Sequence, residues 1–257
     1  MDASQLFDHY LPFIFITARV SGLFLLSPVY GAAMIPARLK AALVIVVSLV
    51  LHFGMNVGSE IVTLDTSVIV QYGIREFITG VGMGMIVSLT FHAVGLAGAV
   101  LAPQMGFAMS EVVDPQSQSS VSVLSSFFYL ISLAFFVAID GHLILIRALA
   151  ESYKLLPLGQ WVLSDGFVGF LMKAGSGMFV IAFTISAPIL AVVLFVNAGM
   201  SMMARAVPQM NIFVVGFIIM ISSGLVAMAL FLPYYGAYLS ERLIGAMEQM
   251  LWLLKTV

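Results

Sequence analysis

The chain has 257 residues, of which 62% are hydrophobic and 9% are charged, with a formal net charge of −2 and no cysteine. A soluble domain is roughly a quarter charged, so this composition excludes an ordinary water-exposed surface and requires membrane lipid or permanent protein partners to cover it. It also excludes disulfides, thiolate metal sites and the basic footprint of nucleic-acid binding. The predicted fold class is an all-α integral membrane protein.

Apolar runs long enough to span a bilayer follow one another along most of the chain, since such a helix needs about 20 residues. The candidate spans are 10–29, 39–57, 68–102, 122–146, 168–204 and 211–235, and a weaker amphipathic stretch covers 237–254. The first residues, MDASQLFDHYLPFIF, include no early Lys or Arg, so we expect the first apolar run to be retained. We predict one domain, 1–257, of about six long, partly broken helices arranged as packed hairpins.

Two of these runs are too long for a single upright crossing. At about 1.5 Å per residue, 68–102 would form a helix roughly 50 Å long, whereas the hydrocarbon core is about 30 Å thick. The run 168–204 is longer and contains Pro188 near its middle. Each must tilt, break or extend beyond the bilayer inside a protein assembly. The basic residues are spread too evenly to define a clear orientation.

A stripe of small residues lies in the third apolar run. Gly80, Gly84 and Ser88 recur at every fourth position, and His92 continues the same face. Small residues at this spacing allow a second helix to approach closely. The stripe predicts a helix-packing surface, either within this chain or against another subunit.

Charged residues interrupt several apolar runs, where each is costly to insert. They could lie at span ends and reach water, pair across subunit interfaces, or line an aqueous path. These charged positions are Arg19, Arg75, Glu76, Asp140, Arg147 and Arg205, and His142 follows Asp140 closely.

Patterns typical of catalysis are missing from the sequence. The four histidines are about 40 to 50 residues apart and form no metal-binding motif. There is no phosphate-binding glycine loop and no nucleophile elbow. We therefore predict a protein that is not an enzyme and that holds neither metal nor cofactor.

A polar segment, QMGFAMSEVVDPQSQSS, covers residues 104–120 between two apolar runs. It keeps apolar side chains at alternate positions, Met105, Phe107 and Met109, before the acidic residues Glu111 and Asp114. Irregular backbone at membrane depth must be buried in protein or line a water-filled cavity. The composition alone favours an exterior loop, and a loop that folds into a pore is the alternative.

Three motifs in order resemble the FliR family of the flagellar type III export gate, with SctT-like relatives in injectisomes. They are QMGFAMSEVVDPQSQSS, IDGHLILIRAL at 139–149, and NAGMSMMARAVPQMNIFVVGF at 197–217. Ile218 stands where many flagellar members have proline, which weakens the choice of flagellum over injectisome.

The resemblance implies a helical multi-subunit spiral in the bacterial inner membrane, within the flagellar basal body. A FliR-like chain resembles a fusion of FliP-like and FliQ-like units and closes that spiral beside FliP and FliQ. FlhB surrounds the cytoplasmic entrance, FlhA supplies the export ring, and unfolded flagellar proteins are the cargo. The chain would then be a non-enzymatic gate subunit.

The resemblance also implies roles for individual residues. The segment 104–120 would project into the channel as a plug, and deletion of 106–112 is expected to leave assembly intact but make the membrane leaky. The predicted plug residues are Gln104, Met105, Gly106, Phe107, Ala108, Met109, Glu111, Asp114 and Pro115. The predicted helix-packing or subunit-interface residues are Gly80, Gly84, Ser88, Asp140, His142, Asn197, Arg205, Pro208 and Gln209.

A stand-alone secondary transporter is the alternative. Long spans interrupted by Pro or Gly and a few charges within apolar runs are typical of that class. The sequence shows no internal duplication and no compact cluster of ligands, which favours the gate subunit. A transporter would bind its solute without partners, whereas a gate subunit would be inert alone.

Overall fold

The computed structural model describes residues 3–31, 35–55, 66–107, 122–160, 165–206 and 211–255. Every regular element in these ranges is an α-helix, which confirms the all-α prediction. The helices are α1 (Ala3–Leu26), α2 (Ala37–Met55), α3 (Thr66–Gln104), α4 (Val123–Ala138), α5 (Gly141–Leu155), α6 (Asp165–Ala206) and α7 (Ile212–Lys255).

Within these ranges, four segments are long and apolar enough to cross a membrane: Ala37–Gly54, Thr66–Gln104, Gly166–Ala206 and Val214–Leu253. Helices α4 and α5 would form a fifth span together, with a bend of 67° between them. The apolar part of α1 is shorter and covers Tyr10–Leu26. The helices thus support the predicted membrane protein by length and composition.

Helix α1 begins at Ala3, before the predicted run 10–29, and α5 continues to Leu155, beyond the predicted run 122–146. Two further differences concern the continuity of the helices. The run 122–146 is broken at Ile139–Asp140, where Asp140 adopts a left-handed conformation with φ 56°. Conversely, the runs 211–235 and 237–254 form one continuous helix, α7, with Pro233 inside it. Proline removes only one backbone donor, and an apolar helix packed against others can tolerate that loss.

Two compact units make up the chain. The first comprises Met1–Leu89, Phe136–Gly175 and Arg242–Val257, and the second comprises Thr90–Phe135 and Ser176–Glu241. Helices α3, α4, α6 and α7 each contribute one part to each unit, because the divisions fall inside them. The assignment of 1–257 to a single export-gate domain stays a prediction.

Much of the apolar helix surface is uncovered by the chain itself. Only 11% of the most apolar window of α2 is buried, compared with 56% for α3. Large side chains such as Phe53, Phe195 and Leu230 are more than 70% exposed. This surface requires lipid or protein partners, as the composition predicts.

Candidate gate loop and helix-packing sites

A buried ion pair joins α1 to α3 in the first unit. The Nε atom of Arg19 donates to Oε2 of Glu76 at 2.6 Å, and Nη2 donates to Oε1 at 3.1 Å. Both side chains have 0% exposure. This two-point geometry matches the planar guanidinium to the carboxylate and is the strongest form of such a pair.

The end of α5 and the turn that follows it complete the polar network around this pair. Arg19 also donates to Oγ of Ser152 and to the carbonyl of Leu156, each at 3.0 Å. The amide of Gly159 donates to Oε1 of Glu76 at 2.8 Å, and the guanidinium carbon of Arg19 lies 4.2 Å from the centre of the Tyr153 ring. A buried pair is tolerable only when its remaining hydrogen-bonding capacity is met in this way.

The pair brings together two residues whose partners the sequence left open. Arg19 and Glu76 form an ion pair within the chain, which none of the three interpretations of the sequence predicted. The adjacent Arg75 has a different partner, since it donates to the carbonyl of Gly159 at 3.4 Å. The presence of charged residues in apolar runs was the signal in the sequence that these positions are unusual. Which of them pair with one another depends on which helices pack together.

The small-residue stripe of α3 lies against α1. A Cβ atom added at Gly80 would come 2.9 Å from the carbonyl carbon of Arg19 and 2.9 Å from the amide nitrogen of Leu23. A Cβ atom at Gly84 would come 2.8 Å from the carbonyl oxygen of Leu23. Gly22 makes the reciprocal close approach on α1. Packing within the chain therefore explains Gly80 and Gly84, while Ser88 is half-buried.

The first residues of the predicted plug form the C-terminal cap of α3. The amide of Phe107 donates to the carbonyl of Ala102 at 2.9 Å, and the amide of Gly106 donates to that of Pro103 at 3.2 Å. Gly106 has φ +90°. These two bonds, with a left-handed glycine between them, define a Schellman motif. Gly106 is needed there because a side chain would strain this backbone.

The side chains at this cap differ in their surroundings. Met105 has 0% exposure. Its Cγ lies 2.8 Å from the position that a Cβ atom at Gly224 would take, so any side chain at Gly224 on α7 would displace Met105. Phe107 is half-buried and Gln104 is exposed. The other predicted plug residues lie outside the described residues: Ala108, Met109, Glu111, Asp114 and Pro115.

Asp140 and His142 lie at the break between α4 and α5. Asp140 is exposed and its side chain makes no capping hydrogen bond. His142 is half-buried, and its carbonyl accepts a hydrogen bond from the Tyr30 hydroxyl at 3.4 Å. Burial raises the pKa of the Tyr30 phenol above its ordinary value. The two residues thus lie at a helix break, and a subunit interface there stays a prediction.

The third motif ends α6. Asn197 is half-buried, and its carbonyl accepts a hydrogen bond from Oγ of Ser201 at 2.9 Å. Arg205 is exposed in the last turn of the helix. Pro208 and Gln209 lie outside the described residues. An interface role for these four residues stays a prediction.

Metal binding finds no support in the part of the chain that the structure describes. No group of three or more His, Asp or Glu side chains there could hold a metal ion. The described residues form packed apolar helices, a buried ion pair and the helix cap at which the segment 104–120 begins.

These features define a polytopic helical membrane protein. Residues 10–245 match the family described as bacterial export proteins, family 1. The chain belongs to this family, which confirms the resemblance to FliR proteins.

Relatives with the printed name flagellar biosynthetic protein FliR match most of the chain. That of Pectobacterium carotovorum subsp. carotovorum is 30% identical over 228 residues, covering 86% of this chain and 83% of the relative. That of Escherichia coli (strain K12) is 27% identical, with coverages of 84% and 82%. That of Bacillus subtilis (strain 168) is 26% identical, with 83% of both chains covered. The similarity therefore extends over the helical framework and both compact units.

Proposed function

We propose that this chain is a non-enzymatic subunit of a flagellar type III protein export gate in the bacterial inner membrane. It would help form and plug the channel through which unfolded flagellar proteins leave the cell. The observation that carries the proposal is the family match over residues 10–245, together with relatives named FliR over more than four fifths of the chain.

The uncovered apolar surface supports a multi-subunit setting. Helix α6 has 42 residues and at about 1.5 Å per residue is roughly twice as long as the hydrocarbon core is thick. Its most apolar window is only 28% buried. FliP-like and FliQ-like helices packed on this surface would cover the part that lipid cannot reach. FlhB and FlhA are the further partners of the proposed gate.

The described start of the segment 104–120, residues 104–107, supports the proposal of a loop that is fixed at one end. The buried side chain of Met105 and the Schellman bonds of Gly106 and Phe107 attach the loop to α3 and α7. Within the proposed plug, Met105 then serves as the anchor. Obstruction of the channel would fall to residues beyond Phe107.

Native mass spectrometry tests the gate assignment directly. The full chain is co-expressed with FliP-like and FliQ-like partners and released in mild detergent. We expect one large hetero-oligomer that contains this chain at a defined copy number. A stable monomer or homodimer, with the partners purifying separately, would reject the gate and leave the secondary transporter as the better reading.

A further inference from the structure

An apolar cavity of about 350 Å³ lies in the second compact unit. Its walls come from α3, α4, α6 and α7, and from Phe107 just after the α3 cap. Cavities of about 150 Å³ lined by Leu, Ile and Phe bind small apolar molecules such as benzene. This cavity is more than twice that size, so it can take a longer apolar group.

The lining chemistry restricts what can enter. Among the lining residues that the structure describes, Tyr235 carries the one polar side chain. Its hydroxyl donates to the carbonyl of Ile185 at 2.8 Å, and its ring stands edge-on to Phe128 with centroids 5.9 Å apart. The hydroxyl is thereby committed to the protein. An extended peptide would bring amide groups that find no partners here, which is costly in an apolar site.

The mouth of the cavity lies among exposed apolar residues. Phe127 on α4 and Leu225 on α7 both line the cavity and are each 47% exposed. Helix α7 is itself a candidate membrane span, and α4 is half of another. A bilayer surrounds such helices with hydrocarbon chains that carry no hydrogen-bonding groups.

We propose that this cavity binds the end of an acyl chain of a membrane phospholipid. The chain would enter between Phe127 and Leu225 and lie against Phe128, Ile185 and Tyr235. Its headgroup would stay outside, since the lining offers nothing for a charge or a phosphate. The proposal rests on the cavity alone and holds whether or not the chain acts in an export gate.

A photoactivatable phospholipid tests the proposal on the full chain. The protein, with any partners that remain bound, is placed in nanodiscs of phosphatidylethanolamine and phosphatidylglycerol. A fraction of the phosphatidylethanolamine carries a diazirine at the end of one acyl chain. After illumination, mass spectrometry maps the labelled residues. We expect labelling concentrated on 123–131 and 225–239, and reduced by an excess of unlabelled lipid.

Two variants on α7 distinguish labelling by lipid inside the cavity from labelling by lipid on the general helix surface. Ala229 lines the cavity and is exposed at its mouth, so Ala229→Trp blocks it without removing a core contact. Leu230 is 74% exposed and lies outside the lining, so Leu230→Trp is the matched control. Each methylene displaced from an apolar site weakens binding several-fold, so we expect Ala229→Trp to lower cavity labelling about tenfold. Leu230→Trp should leave it unchanged.

Two results would overturn the proposal. Label spread evenly over the exposed helix faces, and insensitive to Ala229→Trp, would show ordinary contact with surrounding lipid. Absence of labelling at the cavity residues, while label appears elsewhere on the helices, would show that no acyl chain enters the cavity. The map of labelled residues on the unaltered chain decides between these results even if Ala229→Trp proves unstable.

Discussion

Arg19 shows how a single charged residue can be accommodated in an apolar helix. It is fully buried, yet it has Glu76, Ser152 and the carbonyl of Leu156 as acceptors. Taking both charges out of water is expensive, and their attraction mainly offsets that cost. The pair therefore adds little net stability but makes each partner dependent on the other. It also selects one pairing of α1 with α3, because any other pairing would leave a buried charge alone.

Removal of one partner should be far more damaging than removal of both. We expect Arg19→Met to lower the free energy of unfolding by about 3–5 kcal/mol, because it leaves the Glu76 carboxylate buried without its cation. The double variant Arg19→Met with Glu76→Met should recover most of that loss. Unfolding in detergent titrations of purified protein measures the effect. Arg147→Met, at an exposed position, is the control and should change little. Additive losses in the double variant would show that the two residues are not coupled.

At the scale of helices, the contact between α1 and α3 depends on glycines at the crossing. Gly22, Gly80 and Gly84 let the two backbones approach so closely that an added Cβ atom would meet main-chain atoms. Main-chain atoms cannot rotate away, unlike the end of a long side chain. Small residues are the usual basis of such close helix contacts in membranes. The same approach brings Arg19 within reach of Glu76.

Gly80→Ala and Gly73→Ala make a matched pair of substitutions on α3. The added methyl at Gly80 must separate the helices, and we expect a loss of about 1–3 kcal/mol, as for overpacked cores. Gly73 has nothing within 4 Å of an added Cβ atom, so alanine there should stabilise the helix by roughly 0.5–1 kcal/mol. The same detergent titration compares the two. Equal effects at both positions would contradict the close contact.

For the whole molecule, the distribution of buried and exposed apolar surface is the main functional feature. Helix α3 is largely buried within the chain, whereas α2, α6 and α7 expose most of their apolar windows. Membrane lipid or partner subunits must cover that surface. The proposed plug segment, 104–120, begins at the α3 cap, where Gly106 has a left-handed conformation.

Deletion of 109–115 tests the proposed plug while keeping the helix cap from which the loop starts. It leaves the Schellman cap and the buried Met105 intact, whereas deletion of 106–112 would also remove Gly106 and Phe107. We expect the 109–115 deletion to assemble normally but to let ions through the membrane, because the proposed obstruction is gone. A membrane-potential dye in cells, with assembly checked by native mass spectrometry, measures both. An assembled gate that stays ion-tight would reject the plug.

The positions of the helices were largely predictable, but their continuity was not. Hydropathy located the ends of α2, α3, α6 and α7 within about three residues, because a membrane-length apolar run must satisfy its own backbone hydrogen bonds. The start of α1 at Ala3 and the end of α5 at Leu155 were not predicted. The break at Asp140 and the continuous course of α7 past Pro233 were missed. Both depend on whether neighbouring helices support the backbone locally, which composition does not record.

Composition and ordered motifs were enough to establish the membrane class, the helical fold and the membership in a bacterial export family. They identified the glycine stripe and the charges within apolar runs as unusual. Only the tertiary structure decided that Arg19 pairs with Glu76, 57 residues away, that the stripe faces α1, and that Gly106 is a helix cap. Periodicity and hydropathy are local properties of the chain, whereas these contacts depend on which helices lie side by side.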